Sequence, residues 1–262
     1  MYYTQLLRIT CGLKWLSIVL VALYAFIVAI SAANGAFHDG VHGSPDKDGV
    51  PLPVLLAIAG FVSSFFASRY ARTLSEENES HLPVVWTKPV SRAGYALGVI
   101  GVDLLGIGAA FAITLAMELV LFTTFGALRF IDISADTGAQ LFRFLALPLA
   151  YYGVMTALTA SFGKAGRGLI GWAWCASLAI MLFNSLGLPK PWSQVFAVLN
   201  VVNPLAYASY SHTTSHDTVN IASGPHASVF TALALGSDIA ALLLLAVGGL
   251  VAGVLLWRRV EA

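Results

Sequence analysis

Charged side chains are scarce in this chain: Asp, Glu, Lys and Arg make up 10% of its 262 residues, whereas 58% are hydrophobic. The mean hydropathy is +0.81. A soluble globular domain has about a quarter of its residues charged, which is far more than this chain offers. The deficit excludes a soluble domain and predicts an all-α polytopic membrane protein. The net charge of +1 is not informative about nucleic acid, but the sequence has no basic stripe with interleaved aromatics, and we expect no nucleic-acid partner.

Several signatures of enzymes and nucleotide-binding proteins are missing. The nearest match to a Gly-x-x-x-x-Gly-Lys-Ser/Thr loop is Gly163 with Lys164, which lacks both the upstream glycine and the following hydroxyl. The metalloprotease pattern His-Glu-x-x-His and the hydrolase pattern Gly-x-Ser-x-Gly are also missing. The two cysteines, Cys11 and Cys175, indicate buried thiols. We therefore expect no catalytic residue, and no cofactor bound by this chain.

One polar segment interrupts the apolar sequence at residues 69–94, which we call the polar island. It holds seven ionised side chains, whereas the apolar runs around it, 54–68 and 95–125, hold only Asp103 and Glu118. Such a contrast indicates that the chain leaves lipid for water and returns. Thr73 with Glu76 matches a capping box, and Pro83 soon follows, which predicts a short helix. We expect the polar island to be a docking element.

The apolar runs predict six transmembrane helices in a single domain over residues 1–262. Residues 1–14 place apolar side chains on one helical face and Arg8 and Lys14 on another, as in a helix that lies along the membrane surface. A cleaved signal peptide is the less favoured alternative because the apolar run is long. Residues 187–227 combine prolines with aromatics at helical spacing, which predicts an outer re-entrant or interfacial helix. The expected spans are 15–31, 51–68, 95–125, 141–162, 168–186 and 229–257.

The basic residues predict the orientation of the chain. With the N-terminus in the cytoplasm, ten of the fourteen Lys and Arg lie on the cytoplasmic side, and those outside are Lys47, Arg129, Arg143 and Lys190. An excess of Lys and Arg marks cytoplasmic loops. We therefore expect both termini and the polar island in the cytoplasm.

Two carboxylates, Asp103 and Glu118, share the third predicted span and lie about 60° apart around its axis. Inside lipid, carboxylates mark a path for protons or cations, so both are candidates for a translocation path. The alternative is that each lies near an end of an over-long helix, where water reaches it.

Histidines at i, i+4 spacing in the two outward loops are weak candidates for a metal or pH-sensing site, against the alternative of solvated loop histidines. They are His38, His42, His212 and His216.

Four short motifs occur in a fixed order along the chain. They are Ser75-Glu76-Glu77, then Lys88-Pro89-Val90-Ser91-Arg92 leading into Tyr95, then Asn203-Pro204-Leu205, and finally Trp257-Arg258-Arg259. With a surface helix, six spans, a large first cytoplasmic loop and an outer re-entrant stretch, the chain resembles the permease subunit of type-2 ABC transporters. It departs from that family at Glu79-Ser80, where a Gly-Thr pair is frequent, and at Val99, where a lysine is common.

The resemblance implies an exporter subunit in the bacterial cytoplasmic (inner) membrane, with residues 69–94 as the coupling helix that contacts a separate ABC ATPase. That ATPase would bind ATP and Mg, and a second permease copy would complete the translocation path. The implied coupling residues are Glu76, Glu77, Glu79, Val85, Trp86, Lys88, Pro89 and Arg92. The implied outer gate comprises Trp192, Phe196, Asn203, Pro204 and Tyr207.

Two alternatives from other classes stay open at this stage. One is a self-sufficient membrane protein, either a secondary transporter that uses Asp103 and Glu118 or an intramembrane enzyme. The other is a membrane subunit that senses metal or pH through the outward histidines.

Overall fold

The computed structural model describes residues 2–33, 50–74, 76, 91–128, 131–133, 137–160, 165–186, 188–208, 212–213, 218–219 and 235–259. These residues form α-helices, one 3-10 helix at Pro204–Ala208 and two pairs of two-residue strands. The strand β1 (Val50–Pro51) pairs in parallel with β2 (Ile131–Asp132), and β3 (His212–Thr213) pairs antiparallel with β4 (Thr218–Val219). The helices are α1 (Tyr2–Ala33), α2 (Leu52–Ala71), α3 (Arg92–Thr124), α4 (Thr137–Thr159), α5 (Ala165–Ser185), α6 (Trp192–Val201) and α7 (Leu235–Arg259).

Six of these helices are long and apolar enough to cross a membrane, which takes about 20 residues. The chain is therefore an all-α polytopic membrane protein, as its composition predicts. Helix α6 has ten residues and is too short to span. The spans are Leu6–Ser31, Leu52–Ala71, Ala93–Thr124, Thr137–Thr159, Gly168–Ser185 and Asp238–Trp257.

Contacts at the two ends of the bundle show that the spans alternate in direction. Arg8, early in α1, contacts Thr73, just beyond α2, and Asp103, in the first third of α3. Trp257, at the end of α7, donates a hydrogen bond to the carbonyl oxygen of Leu74 at 3.2 Å. We call this end of the bundle, from which the polar island leaves, the island end.

The opposite end, which we call the far end, has its own contacts. Tyr24, in the second half of α1, is hydrogen-bonded to Thr124, the last residue of α3, at 2.7 Å. Arg143, in the second turn of α4, lies 3.3 Å from Asp238, early in α7. The start of α1 and the end of α7 consequently lie at the same end, as the predicted topology requires.

Helices α4 and α7 approach each other closely because small residues face each other. A Cβ atom added at Gly153 of α4 would lie 2.4 Å from the carbonyl oxygen of Ala246, and one added at Gly249 of α7 would lie 2.4 Å from the carbonyl carbon of Gly153. Only glycine permits this backbone contact, which is how small residues bring membrane helices together. The Gly249-x-x-x-Gly253 pattern therefore packs α7 against α4.

The first helix continues through the predicted boundary between a surface helix over 1–14 and the first span. Helix α1 is continuous over 32 residues, about 48 Å at 1.5 Å per residue. Ile9 and Leu16 are both buried in one apolar cluster with Tyr70, so the packing of α1 extends across the predicted boundary. Arg8 completes this inward face because its guanidinium group bonds to Asp103.

The capping box predicted at Thr73 is also corrected. In a capping box the Thr73 hydroxyl would accept from the N–H group of Glu76, but that N–H donates to the carbonyl oxygen of Arg72 at 2.9 Å. The Thr73 hydroxyl donates instead to the carbonyl oxygen of Tyr70. The Thr73 hydroxyl is therefore bonded to the last turn of α2 and does not cap a following helix. Residues 77–90, including Pro83, lie outside the described residues.

Helix α3 is over-long, as predicted, with 33 residues, or about 50 Å. It ends where Gly126 adopts a left-handed backbone conformation with φ 63°. The N–H of Gly126 donates to the carbonyl oxygen of Thr123 at 3.0 Å, and that of Ala127 to Phe122 at 2.8 Å. This pair of bonds is the Schellman arrangement that terminates helices.

Candidate functional site

A buried ion pair joins α1 to α3 at the island end. Nη2 of Arg8 lies 2.8 Å from Oδ1 of Asp103, and the two side chains are 24% and 0% exposed. The hydroxyl of Tyr152, on α4, donates to the other carboxylate oxygen, Oδ2, at 2.9 Å. Arg8 also donates to the Thr73 hydroxyl. We call these four residues the Asp103 cluster, in which three helices and the exit of α2 meet at one carboxylate.

The fully buried ring of Tyr70 supports the cluster from α2. The guanidinium carbon of Arg8 lies 5.5 Å from the ring centroid, within the range of a cation–π interaction. A buried carboxylate is tolerated only when it is paired and hydrogen-bonded. Asp103 meets both conditions, which accounts for a charge at a site from which solvent is excluded.

The exit of α2 is tied to the bundle by further bonds. The hydroxyl of Thr159, the last residue of α4, donates to the carbonyl oxygen of Ala71 at 2.9 Å. The indole N–H of Trp257 on α7 donates to the carbonyl oxygen of Leu74 at 3.2 Å. The chain segment that leads into the polar island is therefore attached directly to α1, α4 and α7, and through Arg8 to α3.

The polar island itself is described only at its two edges. Glu76 pairs with Arg72 at 3.1 Å, and both side chains are about one-third exposed, so this pair contributes little to stability. The hydroxyl of Ser91 caps the start of α3 by accepting from the N–H of Gly94 at 3.1 Å, and Arg92 begins that helix. The remaining predicted coupling residues lie outside the described residues: Glu77, Glu79, Val85, Trp86, Lys88 and Pro89.

A second buried ion pair joins α4 to α7 at the far end. Arg143 and Asp238 are 3.3 Å apart and 5% and 13% exposed. Tyr207, in the 3-10 helix, donates its hydroxyl hydrogen to the carbonyl oxygen of Val201 at 2.9 Å. Burial raises the pKa of Tyr207 to about 12, and the nearby Asp238 carboxylate adds to that rise, while Arg143 opposes it. Tyr207 is therefore a neutral hydrogen-bond donor at physiological pH.

The predicted gate residues divide into buried and exposed members. Asn203 and Pro204 are buried. The side-chain amide of Asn203 donates to the carbonyl oxygen of Ser177 at 2.9 Å, while its oxygen accepts from the N–H of Leu205 at 3.2 Å. This amide fastens the 3-10 helix to α5, so Asn203, Pro204 and Tyr207 form one packed unit.

The two aromatic gate candidates of α6 lie nearer the surface. Phe196 stacks on Phe183 of α5, with 5.1 Å between ring centroids. Trp192 is 59% exposed. The indole of Trp192 is therefore exposed on α6 at the far end, outside the packed unit formed by Asn203, Pro204 and Tyr207.

The side chains of the predicted histidine site are not among those that the structure describes. His38, His42 and His216 lie outside the described residues, as does the side chain of His212. Within the described part of the chain, no group of three or more His, Cys, Asp or Glu residues is arranged to hold a metal ion.

The two carboxylates of α3 have different surroundings. Asp103 is held by Arg8 and Tyr152. Both carboxylate oxygens of Glu118 are buried but have no hydrogen-bond partner in the structure. The residue as a whole is partly exposed. The structure therefore places the two predicted path residues in separate sites, about 22 Å apart along the helix axis.

The partners of Asp103 were not predicted from the sequence. The sequence pattern predicts a place at the membrane surface for Arg8 and a helix cap for Thr73, and it indicates no role for Tyr152. One signal was present, since Arg8 precedes the first apolar run and Asp103 follows the start of the third, at the same predicted side of the membrane. Opposite charges within spans pair with each other.

No family model, curated protein or solved structure matches this chain.

Proposed function

We propose that this chain is the membrane-spanning subunit of an ATP-driven exporter of the type-2 ABC class, coupled to a separate ATPase through the polar island. One observation supports the proposal: the exit of α2, where the polar island begins, is bonded directly to three other long helices, α1, α4 and α7. Thr73 is bonded to Arg8, Ala71 to Thr159 and Leu74 to Trp257. A force applied to the polar island therefore acts on several spans together.

The need for a partner rests on chemistry that the sequence lacks. The chain has no phosphate-binding Gly-Lys-Ser/Thr loop, so ATP and Mg would bind to the separate ATPase. The acidic residues Glu76, Glu77 and Glu79 would meet basic residues of that ATPase, with Val85 and Trp86 as apolar anchors. Lys88, Pro89 and Arg92 would form the turn back into α3.

The mechanical step is a rigid movement of helices about the island end. When the ATPase closes on ATP, the displaced polar island pulls on α2, and the Arg8–Asp103 bond transmits the movement to α1 and α3. Packed helices have discrete arrangements rather than a continuous range. The movement would thus switch the bundle between two states, and the unit formed by Asn203, Pro204 and Tyr207 would respond at the far end.

The translocation path requires a second permease copy beside this one. Six spans enclose little space of their own, and closed symmetric pairing is the common way to complete such a path. Several large apolar residues of α1 and α5 face outward, with Trp15 61%, Phe26 63% and Trp172 75% exposed. In a bilayer these faces meet lipid or a second copy.

Co-purification tests the proposal. The chain, tagged at one end, is solubilised in mild detergent together with the soluble fraction of its own cells, and ATPase activity is measured in the purified material. We expect a nucleotide-hydrolysing subunit to be retained by the wild type and lost when Glu76, Glu77 and Trp86 are replaced together by alanine.

The matched control is Trp192→Ala, which removes an exposed indole at the far end and should leave the ATPase bound. An unchanged amount of ATPase in the triple variant would contradict the assignment of the docking element. Loss of the ATPase in both variants would point to general damage and would equally contradict it.

A further inference from the structure

The buried carboxyl group of Glu118 has no described role in the coupling between the polar island and the spans. Both of its oxygens are shielded from solvent, and neither has a hydrogen-bond partner in the structure. It lies within the span Ala93–Thr124, six residues, or about 9 Å, from the helix end at the far end of the bundle. A buried polar atom without a partner is rare in native proteins and calls for an explanation.

An ionised carboxylate cannot remain in this position uncompensated. Removing such a charge from water costs several kcal/mol even after the protein relaxes, and the bilayer gives no substitute for water. The described residues at this level offer no compensating cation. In the half of α1 nearest the far end, the ionisable side chain is Tyr24, which is hydrogen-bonded to Thr124. Residues Leu52–Phe66 of α2 include no ionisable side chain.

Arg143, which lies toward the same end on α4, is engaged with Asp238. The hydroxyl of Thr114, one turn before Glu118, donates to the carbonyl oxygen of Ala110 at 2.9 Å and so does not donate to Glu118. None of the described residues therefore neutralises the carboxylate, which leaves an ion from water as its partner.

The geometry favours a proton over a metal cation. A metal cation requires several oxygen ligands around it, whereas the described residues contain no group of three or more His, Cys, Asp or Glu that could share one. A proton requires a single oxygen. A purely structural role does not explain the residue either, because an apolar side chain of similar size would fill the same space without the cost of burying polar atoms.

We propose that Glu118 is a proton-binding site in the outer half of α3, which takes its proton from water at the far end of the bundle and holds it in the apolar interior. This inference concerns the chain alone and does not depend on an ATPase partner. Failure of the co-purification experiment would therefore leave it untouched.

The first test uses dicyclohexylcarbodiimide, an apolar reagent that modifies protonated carboxyl groups. The acid adds across one C=N bond: its proton goes to nitrogen and its oxygen bonds to the central carbon, and the adduct then rearranges to a stable N-acylurea. The purified full-length chain in lipid nanodiscs is treated at several pH values, and its peptides are analysed by mass spectrometry.

We expect an adduct on the peptide that contains Glu118, weakening as the pH is raised, and loss of that adduct in Glu118→Gln. Asp103 is the internal control, since it lies on the same helix but is paired with Arg8 and bonded to Tyr152. Its labelling should be more than about tenfold lower, because the paired Arg8 guanidinium favours the ionised form of Asp103, with which the reagent does not react. Equal labelling of Asp103 and Glu118, or protection by NaCl at constant pH, would overturn the proposal.

The second test covers the case in which the reagent fails to reach Glu118. Infrared difference spectra of the wild type against Glu118→Gln should show the C=O stretching band of a protonated carboxylic acid, present only in the wild type. Glu76→Gln, outside the spans, should not remove that band. A wild-type spectrum without a band sensitive to Glu118→Gln would contradict the proposal.

Discussion

The two carboxylates of α3, Asp103 and Glu118, differ in the hydrogen-bond partners that the fold brings to them. Asp103 is bonded to donors from two other helices, Arg8 of α1 and Tyr152 of α4, and its side chain has no exposure. Glu118, fifteen residues later on the same helix, has buried carboxylate oxygens with no hydrogen-bond partner among the described residues. A charge within a span is retained as a charge only where other helices bring counter-charges and donors to it. The comparison thus separates a structural carboxylate at the island end from one that must bind an ion.

The largest effect is expected for Arg8→Ala, which leaves Asp103 buried and unpaired. We expect a loss of about 3–5 kcal/mol in the free energy of unfolding, measured by denaturation in detergent micelles. Lys14→Ala is the matched control, because Lys14 lies on the same helix but is exposed. Equal losses in the two variants would remove the distinction on which the comparison rests.

A double replacement sharpens the same point. Arg8→Met combined with Asp103→Leu removes both charges together, so no uncompensated charge is left behind. We expect most of the lost stability to return, while the connection between α1 and α3 becomes purely apolar. If the double variant were as unstable as Arg8→Ala, the loss would come from packing and not from the unpaired charge.

A smaller effect is expected for Tyr152→Phe, which removes one donor from Asp103 and leaves the ion pair with Arg8. Hydrogen bonds between membrane helices contribute modestly, so we expect a loss of about 1–2 kcal/mol in the same unfolding measurement. Tyr24→Phe removes the more exposed bond to Thr124 and should cost less. The reverse order would show that the Asp103 carboxylate does not depend on its second donor.

The smallest effect is expected for Glu118→Gln. A protonated carboxyl group and an amide are similar in size and equally neutral, so the free energy of unfolding should change by about 0.5 kcal/mol or less. Asp103→Asn, the same chemical change at the other site, deprives Arg8 of its counter-charge and should cost several kcal/mol. Equal costs at the two positions would contradict the contrast between them.

The sequence predicted the six spans because hydropathy over about 20 residues is a local property. It did not predict the partners of Asp103, because Arg8 and Asp103 are separated by 95 residues and no local pattern records such a contact. Thr73 matched a capping box by spacing alone, whereas the structure shows its hydroxyl bonded to Tyr70 and Arg8. A bond within the last turn of α2 and a contact with the distant Arg8 therefore take the place of the predicted cap.

The same reasoning applies to α1, which continues through the boundary predicted at residue 14. The polar face formed by Arg8 and Lys14 is typical of a helix on the membrane surface. Arg8 instead turns inward because Asp103 offers it a counter-charge, and Ile9 is buried beside it. A sequence pattern gives the polarity of a face but not the polarity of what packs against it.

The orientation of the polar island is the measurement that tests the account most directly, because a docking element for an ATPase must face the compartment that contains ATP. Intact cells are treated with an amine reagent that cannot cross the membrane, and Lys88 and Lys190 are compared by mass spectrometry. Lys190 is exposed beside α6 at the far end and is the internal control. We expect Lys190 to be labelled in intact cells and Lys88 only after permeabilisation. Labelling of Lys88 from outside intact cells would contradict the proposed function.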